Sequence, residues 1–215
     1  MKNSKVTIID YGLGNLLSLK RAFEFVGAEV LITSENNLIA NSSRIVLPGV
    51  GAFSKAMELI KSLGIKEILI SSAKKEIPFL GICLGMQLLF TESEEFELTE
   101  GLNLIPGKVI SIPKNSKDGK KLILPHIGWN SLELSKNRNN WKNTILGKND
   151  FFDKVYFIHS FMALPKNSSD KVANCIYGGH EITAVVENKN ISGCQFHPEK
   201  SGKLGLKILE NFLGQ

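Results

Sequence analysis

Apolar and polar positions change rhythm midway along the chain. In the first half, short β-branched runs alternate with stretches of helical period. VTII (6–9) predicts a buried strand, and Leu16 to Val26 predicts a helix closed by Gly27, which tolerates the left-handed backbone that ends a last turn. EVLI (29–32) and RIVL (44–47) predict two more strands. Phe53, Ala56, Met57, Ile60 and Leu63 recur every three or four residues, the stripe of an amphipathic helix, and Gly64 ends it. PFLGI (78–82) then predicts a strand feeding a helix over LGMQLLF (84–90). Alternation of this kind implies right-handed crossovers on a mainly parallel sheet.

The second half reads as consecutive strands. They are KVISI (108–112), KLIL (121–124), SLEL (131–134), VYFIH (155–159), VANCIY (172–177), ITAVVE (182–187) and ISGCQF (191–196), several separated by turn residues such as Gly178-Gly179 and Asn188-Lys189-Asn190. A helix from Leu204 to Leu213 closes the pattern. The expected architecture is one α/β domain whose later strands add an antiparallel or mixed extension.

Composition narrows the class. With 215 residues, 43% hydrophobic and 22% charged, the chain can bury one sizeable core. No stretch approaches the roughly 18 uncharged apolar residues of a membrane helix. Met1 to Lys5 leads directly into the first strand, so the expectation is no signal peptide, no membrane anchor and a cytosolic location. Three cysteines (Cys83, Cys175, Cys194) are too few for a disulfide framework, and with the four histidines they make no zinc spacing, so no metal is expected. The net charge of +5 is concentrated in residues 108–150, where nine Lys/Arg face three acids. No RNA-binding or helix-turn-helix signature accompanies them, so a solvated basic surface around KNSKDGKK is expected, with partner docking or an anionic substrate as the alternative.

The chemistry centres on Gly81-Ile82-Cys83-Leu84-Gly85 at a strand-to-helix junction. A sharp turn there lifts the Cys83 side chain above the sheet, the two glycines allow the close packing, and the following helix aims its dipole at the sulfur. The partner group is Gln195-Phe196-His197-Pro198-Glu199. His197 at a strand end can take the thiol proton, and Glu199 can orient the imidazole and offset its charge. Cys175 and Cys194, inside strand runs, read as core. His180 reads as an exposed turn residue. Among Glu92, Glu94, Glu95, Glu97 and Glu100, one or two could hold a substrate ammonium. Asp10 to Asn15 lacks the third glycine of a dinucleotide loop. Pro48-Gly49-Val50-Gly51 fits an oxyanion hole better than a phosphate cradle, pairing the amide near Val50 with that of Leu84.

YGLGN, LPGVGAF, LGICLGMQLLF, PHIGWN, YFIHS and QFHPEKS occur in order across nearly the whole chain. Together they resemble class I glutamine amidotransferases, and most closely the glutaminase subunits of imidazole glycerol phosphate synthases. The resemblance implies a flavodoxin-like three-layer α/β fold, one domain over 1–215, with a central mixed, mainly parallel sheet. It implies a Cys83–His197–Glu199 triad that hydrolyses the L-glutamine side chain, with Gly51, Gln87, Glu95 and Ser160 binding glutamine. It further implies no cofactor, no metal and no nucleic acid, and ammonia passed to a (β/α)₈ cyclase subunit, with Asn15, His126 and Trp129 as docking candidates. Two other readings stay open: a paralogue supplying ammonia for amidino groups on surface sugars, and a catalytically silent binding subunit.

Overall fold

The computed structural model describes residues 4–147 and 154–214. The first half runs β1 (Ser4–Ile9), α1 (Leu16–Phe25), β2 (Ala28–Thr33), α2 (Asn36–Ala40), β3 (Ile45–Leu47), α3 (Phe53–Ser62), α4 (Lys66–Lys74), β4 (Phe79–Ile82) and α5 (Leu84–Leu88). The middle contains β5 (Phe90–Ser93), β6 (Thr99–Glu100), β7 (Ile105–Ser111), β8 (His126–Ser131) and β9 (Glu133–Leu134). The rest is β10 (Lys154–His159), β11 (Phe161–Pro165), β12 (Lys171–Tyr177), β13 (His180–Asn188), β14 (Ile191–Cys194) and α6 (Gly202–Leu213).

The main sheet has the order β2-β1-β3-β4-β14-β13-β12-β9. From β2 to β14 all neighbours are parallel, and from β14 to β9 all are antiparallel, which is the mixed extension the pattern predicts. Period-two alternation splits the core between the two faces. Val46, Leu80 and Ile82 pack with Leu19 and Phe23 of α1 and Ile208 and Phe212 of α6. Ile45, Leu47 and Phe79 pack with Phe53, Met57 and Ile60 of α3 and Leu69 of α4. Helices on both faces make the three layers. Two small sheets, β10-β8 and β11-β7-β5-β6, carry the strands that reach the site.

Several local expectations differ from the structure. The helix after Cys83 stops at Leu88, and Phe90 begins a strand, because the Leu89 carbonyl is taken by the Leu104 and Ile105 amides at 2.8 and 3.0 Å. An unbroken buried run such as Leu88-Leu89-Phe90 has no period to separate the two states. KLIL (121–124) is not a strand: Lys121 makes only an isolated bridge to Asn115, and Ile123 is 81% exposed. The strand expected at 131–134 lies mainly earlier, as β8, with only β9 behind it. Helix α4 was not expected. Its Leu69 and Ala73 are buried with Ile65 just ahead at four-residue spacing, but Ser71-Ser72 interrupts the apolar signal. Helix α2 and strands β5, β6 and β11 were likewise not expected. The end of the basic segment, 148–150, and Met1 to Asn3 lie outside the described residues. Among the described residues, no helix is long and apolar enough to cross a membrane.

Candidate active site

Strand β4 is buried along its whole length and delivers Cys83 at φ 55°, ψ −112°, a left-handed conformation that a side-chain-bearing residue adopts only under constraint. The constraint is visible. The Cys83 amide donates to the Cys194 carbonyl on β14 at 2.8 Å. A Cβ on Gly85 would overlap the Leu47 carbonyl oxygen, and one on Gly81 would sit 2.6 Å from the Gly85 carbonyl oxygen. The two glycines thus let β3, β4 and α5 close around the turn. Helix α5 has only five residues, so its dipole at the sulfur is weaker than the sequence pattern suggested. Side chains around the sulfur matter more.

His197 follows β14 and is pinned by its amide to the Tyr156 carbonyl at 3.0 Å. The short 3₁₀ turn Pro198–Lys200 then folds Glu199 back, and its Oε1 accepts from His197 Nδ1 at 2.8 Å. Both side chains are about 95% or more buried. With Nδ1 committed, Nε2 is the nitrogen left for the Cys83 side, and neither it nor Glu199 Oε2 meets hydrogen-bond geometry with a partner among the described residues. Burial alone would depress the imidazole, but the Cys83 sulfur and the Glu199 carboxylate outweigh it and raise His197. Such an imidazole readily holds a proton taken from a thiol.

Val50, Gly51, Cys83, Leu84, Gln87, Glu95, Ile158, His159, Ser160, Phe161 and His197 line one cavity of about 190 Å³. The expected nucleophile, base, oxyanion residues and glutamine-binding set therefore converge, while Glu199 stands behind His197. Glu95 also supports the fold: its Oε2 accepts the Phe53 amide at 2.6 Å, capping α3, whose N-cap Ala52 offers no side-chain cap. Burial pushes the Glu95 carboxyl up, against the Phe53 bond. The loop before α3 is held by Tyr11, whose hydroxyl donates to the Pro48 carbonyl at 2.8 Å, and Gly51 sits at φ +96°.

The docking candidates separate. Trp129 is 53% exposed and meets Tyr156 edge-on, and Asn15 is exposed at the start of α1. His126 does not lie on that surface: it is 4% exposed, stacked on Tyr177 and Phe157, because its strand alternates inward and outward. His126 Nδ1 instead meets His159 Nε2 at 3.1 Å, and His159 Nδ1 meets the Phe161 carbonyl at 2.8 Å. His180 is half-buried against the Asn115 carbonyl at 2.8 Å, so it is less free than expected. Sequence reasoning assigned no role to Tyr11, His159 or Gln195. The available signal for Gln195 was a long polar residue between Cys194 and Phe196 in a mainly apolar strand run. Among the described residues, no group of three or more His, Cys, Asp or Glu could hold a metal ion.

A strained cysteine between two crossing glycines, facing a buried His–Glu pair over a small cleft on an α/β sheet, is the arrangement of a thiol amidohydrolase. Residues 7–215 match the family described as glutamine amidotransferase class-I, and the chain belongs to it. The imidazole glycerol phosphate synthase subunit HisH 1 of Legionella pneumophila (strain Paris) is 47% identical over 210 residues, covering 98% of this chain and 99% of that protein. The subunit HisH of Geobacter sulfurreducens is 43% identical over 210 residues, covering 97% and 98%. Among solved structures, PurLQS from Thermotoga maritima superposes with a TM-score of 0.70 at 21% identity, covering 100% of this chain and 99% of that one, a likeness of fold.

Proposed function

We propose that this chain is the glutaminase subunit of an imidazole glycerol phosphate synthase, hydrolysing L-glutamine to glutamate and ammonia for histidine biosynthesis. Relatives 41–47% identical over nearly the full length carry that name, and they favour neither the surface-sugar paralogue nor the silent binding subunit. What carries the chemistry is Cys83, held at φ 55° over a cavity that it shares with His197.

The thiol proton passes to His197 Nε2, and the sulfur attacks the side-chain amide carbon of glutamine. The oxyanion is received by the amides of Val50 and Leu84. The His197 imidazolium returns its proton to the leaving nitrogen, ammonia departs, and a γ-glutamyl thioester remains. Water, giving its proton to His197, then cleaves the thioester. Glu199 holds Nδ1 throughout, so Nε2 is the nitrogen that takes up and returns each proton. Gly51, Gln87, Glu95 and Ser160 bind the glutamine; the buried Glu95 carboxylate suits its ammonium group. The 1–215 chain works as one domain in the cytoplasm, docked on a (β/α)₈ cyclase subunit through the exposed Trp129, Ile127, Val50, Ile158 and Asn15. No cofactor takes part in these steps.

The direct test is Cys83→Ala. Glutaminase kcat should fall by roughly 10⁴-fold or more in a folded chain, and a glutamine analogue with a leaving group should label Cys83 but not the buried Cys175 or Cys194. Equal labelling of all three cysteines would refute the assignment.

A further inference from the structure

Gln195 lies directly after β14, fully buried, between the side chains of Cys83 and Gln87 that line the cleft. Its Nε2 donates to Cys83 Sγ at 3.8 Å, and its Oε1 accepts from Gln87 Nε2 at 2.9 Å. The same Gln87 nitrogen donates to the Phe161 carbonyl at 3.3 Å. That carbonyl fixes the polarity of the whole chain of bonds. A carbonyl oxygen only accepts, so Gln87 must turn its NH₂ toward it and toward Gln195. Gln195 must then answer with its oxygen, which leaves its NH₂ for the sulfur.

We infer that Gln195 is a positioning residue of the glutaminase site, with one amide serving two neighbours. Its N–H group stabilises the Cys83 sulfur as charge develops on it, and its carbonyl locks Gln87 so that only the Gln87 oxygen is offered to the N–H groups of glutamine. The inference rests on the glutaminase reading and extends it to a residue outside the triad and outside the set that binds glutamine. A buried amide with both ends engaged also explains why a long polar side chain can sit fully buried just past β14.

Two substitutions separate the arms. Gln195→Met keeps the length and removes both donor and acceptor. Alkylation of Cys83 by iodoacetamide, followed on the peptide that carries it, should slow about tenfold, the size expected for one lost hydrogen bond to a charged group. The KM for glutamine should rise about as much, because Gln87 is left with an unpaired buried N–H. Gln195→Glu keeps an acceptor for Gln87 but offers the sulfur no N–H, so KM should return to within about threefold of the parent while alkylation stays slow. A purely structural role would not split the two readouts. If the folded Gln195→Met chain alkylates and binds glutamine within about twofold of the parent, the inference is wrong. Should that variant fail to fold, the near-isosteric Gln195→Glu decides: unchanged alkylation overturns it. A parent chain that alkylates normally but never hydrolyses glutamine, even with its cyclase, would overturn the glutaminase reading and leave the Gln195 contrast standing.

Discussion

At the scale of single residues, the site depends on small backbone devices that aim ordinary side chains. Glu199 stands only two positions beyond His197, and in an extended chain the two side chains would share a face but stand about 7 Å apart. The turn at Pro198–Lys200, tied by the Ser201 hydroxyl to the His197 carbonyl at 2.6 Å, brings carboxylate and imidazole to 2.8 Å. Glu199→Gln tests what that distance is worth. The new amide N–H would face Nδ1 and favour the tautomer with its proton on Nε2, which cannot accept one from Cys83. The expected outcome is a kcat lowered by about 10²–10⁴-fold with KM little changed, measured with the cyclase partner present. An unchanged kcat would mean that Glu199 only neighbours His197.

At the scale of elements, the antiparallel pair β8–β10 links the exposed Trp129 face to the cleft. His126 and His159 are register partners across it, and their ring nitrogens meet at 3.1 Å. The His159 Nδ1–H donates to the Phe161 carbonyl, so its Nε2 accepts and His126 must donate; both rings are neutral. Burial pushes His159 down to about 4, against the Phe161 bond that favours its charged form and with the nearby His197 charge adding to the fall, and burial lowers His126 as well. In the unfolded chain these rings titrate near their ordinary value of about 6.5. The unfolded state therefore binds more protons across that window, and stability falls as pH drops from about 6.5 toward 4. The His159 shift alone corresponds to a loss of about 3 kcal/mol at the acid end. Urea unfolding at pH 7 and pH 4 should show the loss, and His159→Gln should flatten it. A parallel pH dependence in the two proteins would contradict the assignment.

At the scale of the whole molecule, the nucleophile, its base and the oxyanion loop sit at the carboxyl ends of parallel strands, while Glu95 and Ser160 come from the two small sheets. The loops after β1, β3, β4 and β14 carry Tyr11, Val50, Cys83 and His197, the edge where open α/β sheets place their ligands. The same edge exposes Val50, Ile127, Trp129 and Ile158, so a docked cyclase would bear on the oxyanion loop itself. That loop is clasped at Pro48 by Tyr11 and freed at Gly51, whose φ of +96° is open to glycine at no cost. If the Val50 amide turns inward only on docking, the isolated chain lacks one oxyanion donor, a loss of about 2.7–4 kcal/mol, or about 10²–10³ in rate. Glutamine hydrolysis should then be slow alone and rise by that factor with the cyclase and its acceptor bound. Full activity of the isolated subunit would establish a preformed hole.

Three features were legible from the residues alone: the alternation that makes the parallel half-sheet, the elbow around Cys83 and the pairing of His197 with Glu199. Each is written in local spacing: β-branched runs, glycines flanking one cysteine, a carboxylate two residues from a histidine. The motif set, read as a resemblance, also picked out Gly51, Gln87, Glu95 and Ser160, which share the cavity with Cys83. Packing, by contrast, turns His126 inward, ends a helix at Leu88 where an unbroken apolar run suggested more, and has Glu95 cap α3 from 42 positions away. It alone brought Gln195 against Cys83, 112 positions apart, and Gln87 onto the Phe161 carbonyl, 74 apart. Periodicity reports which face of an element is apolar. It carries no information about which distant carbonyl will face an amide, because that choice is made only when the layers pack and each buried polar group must find a partner.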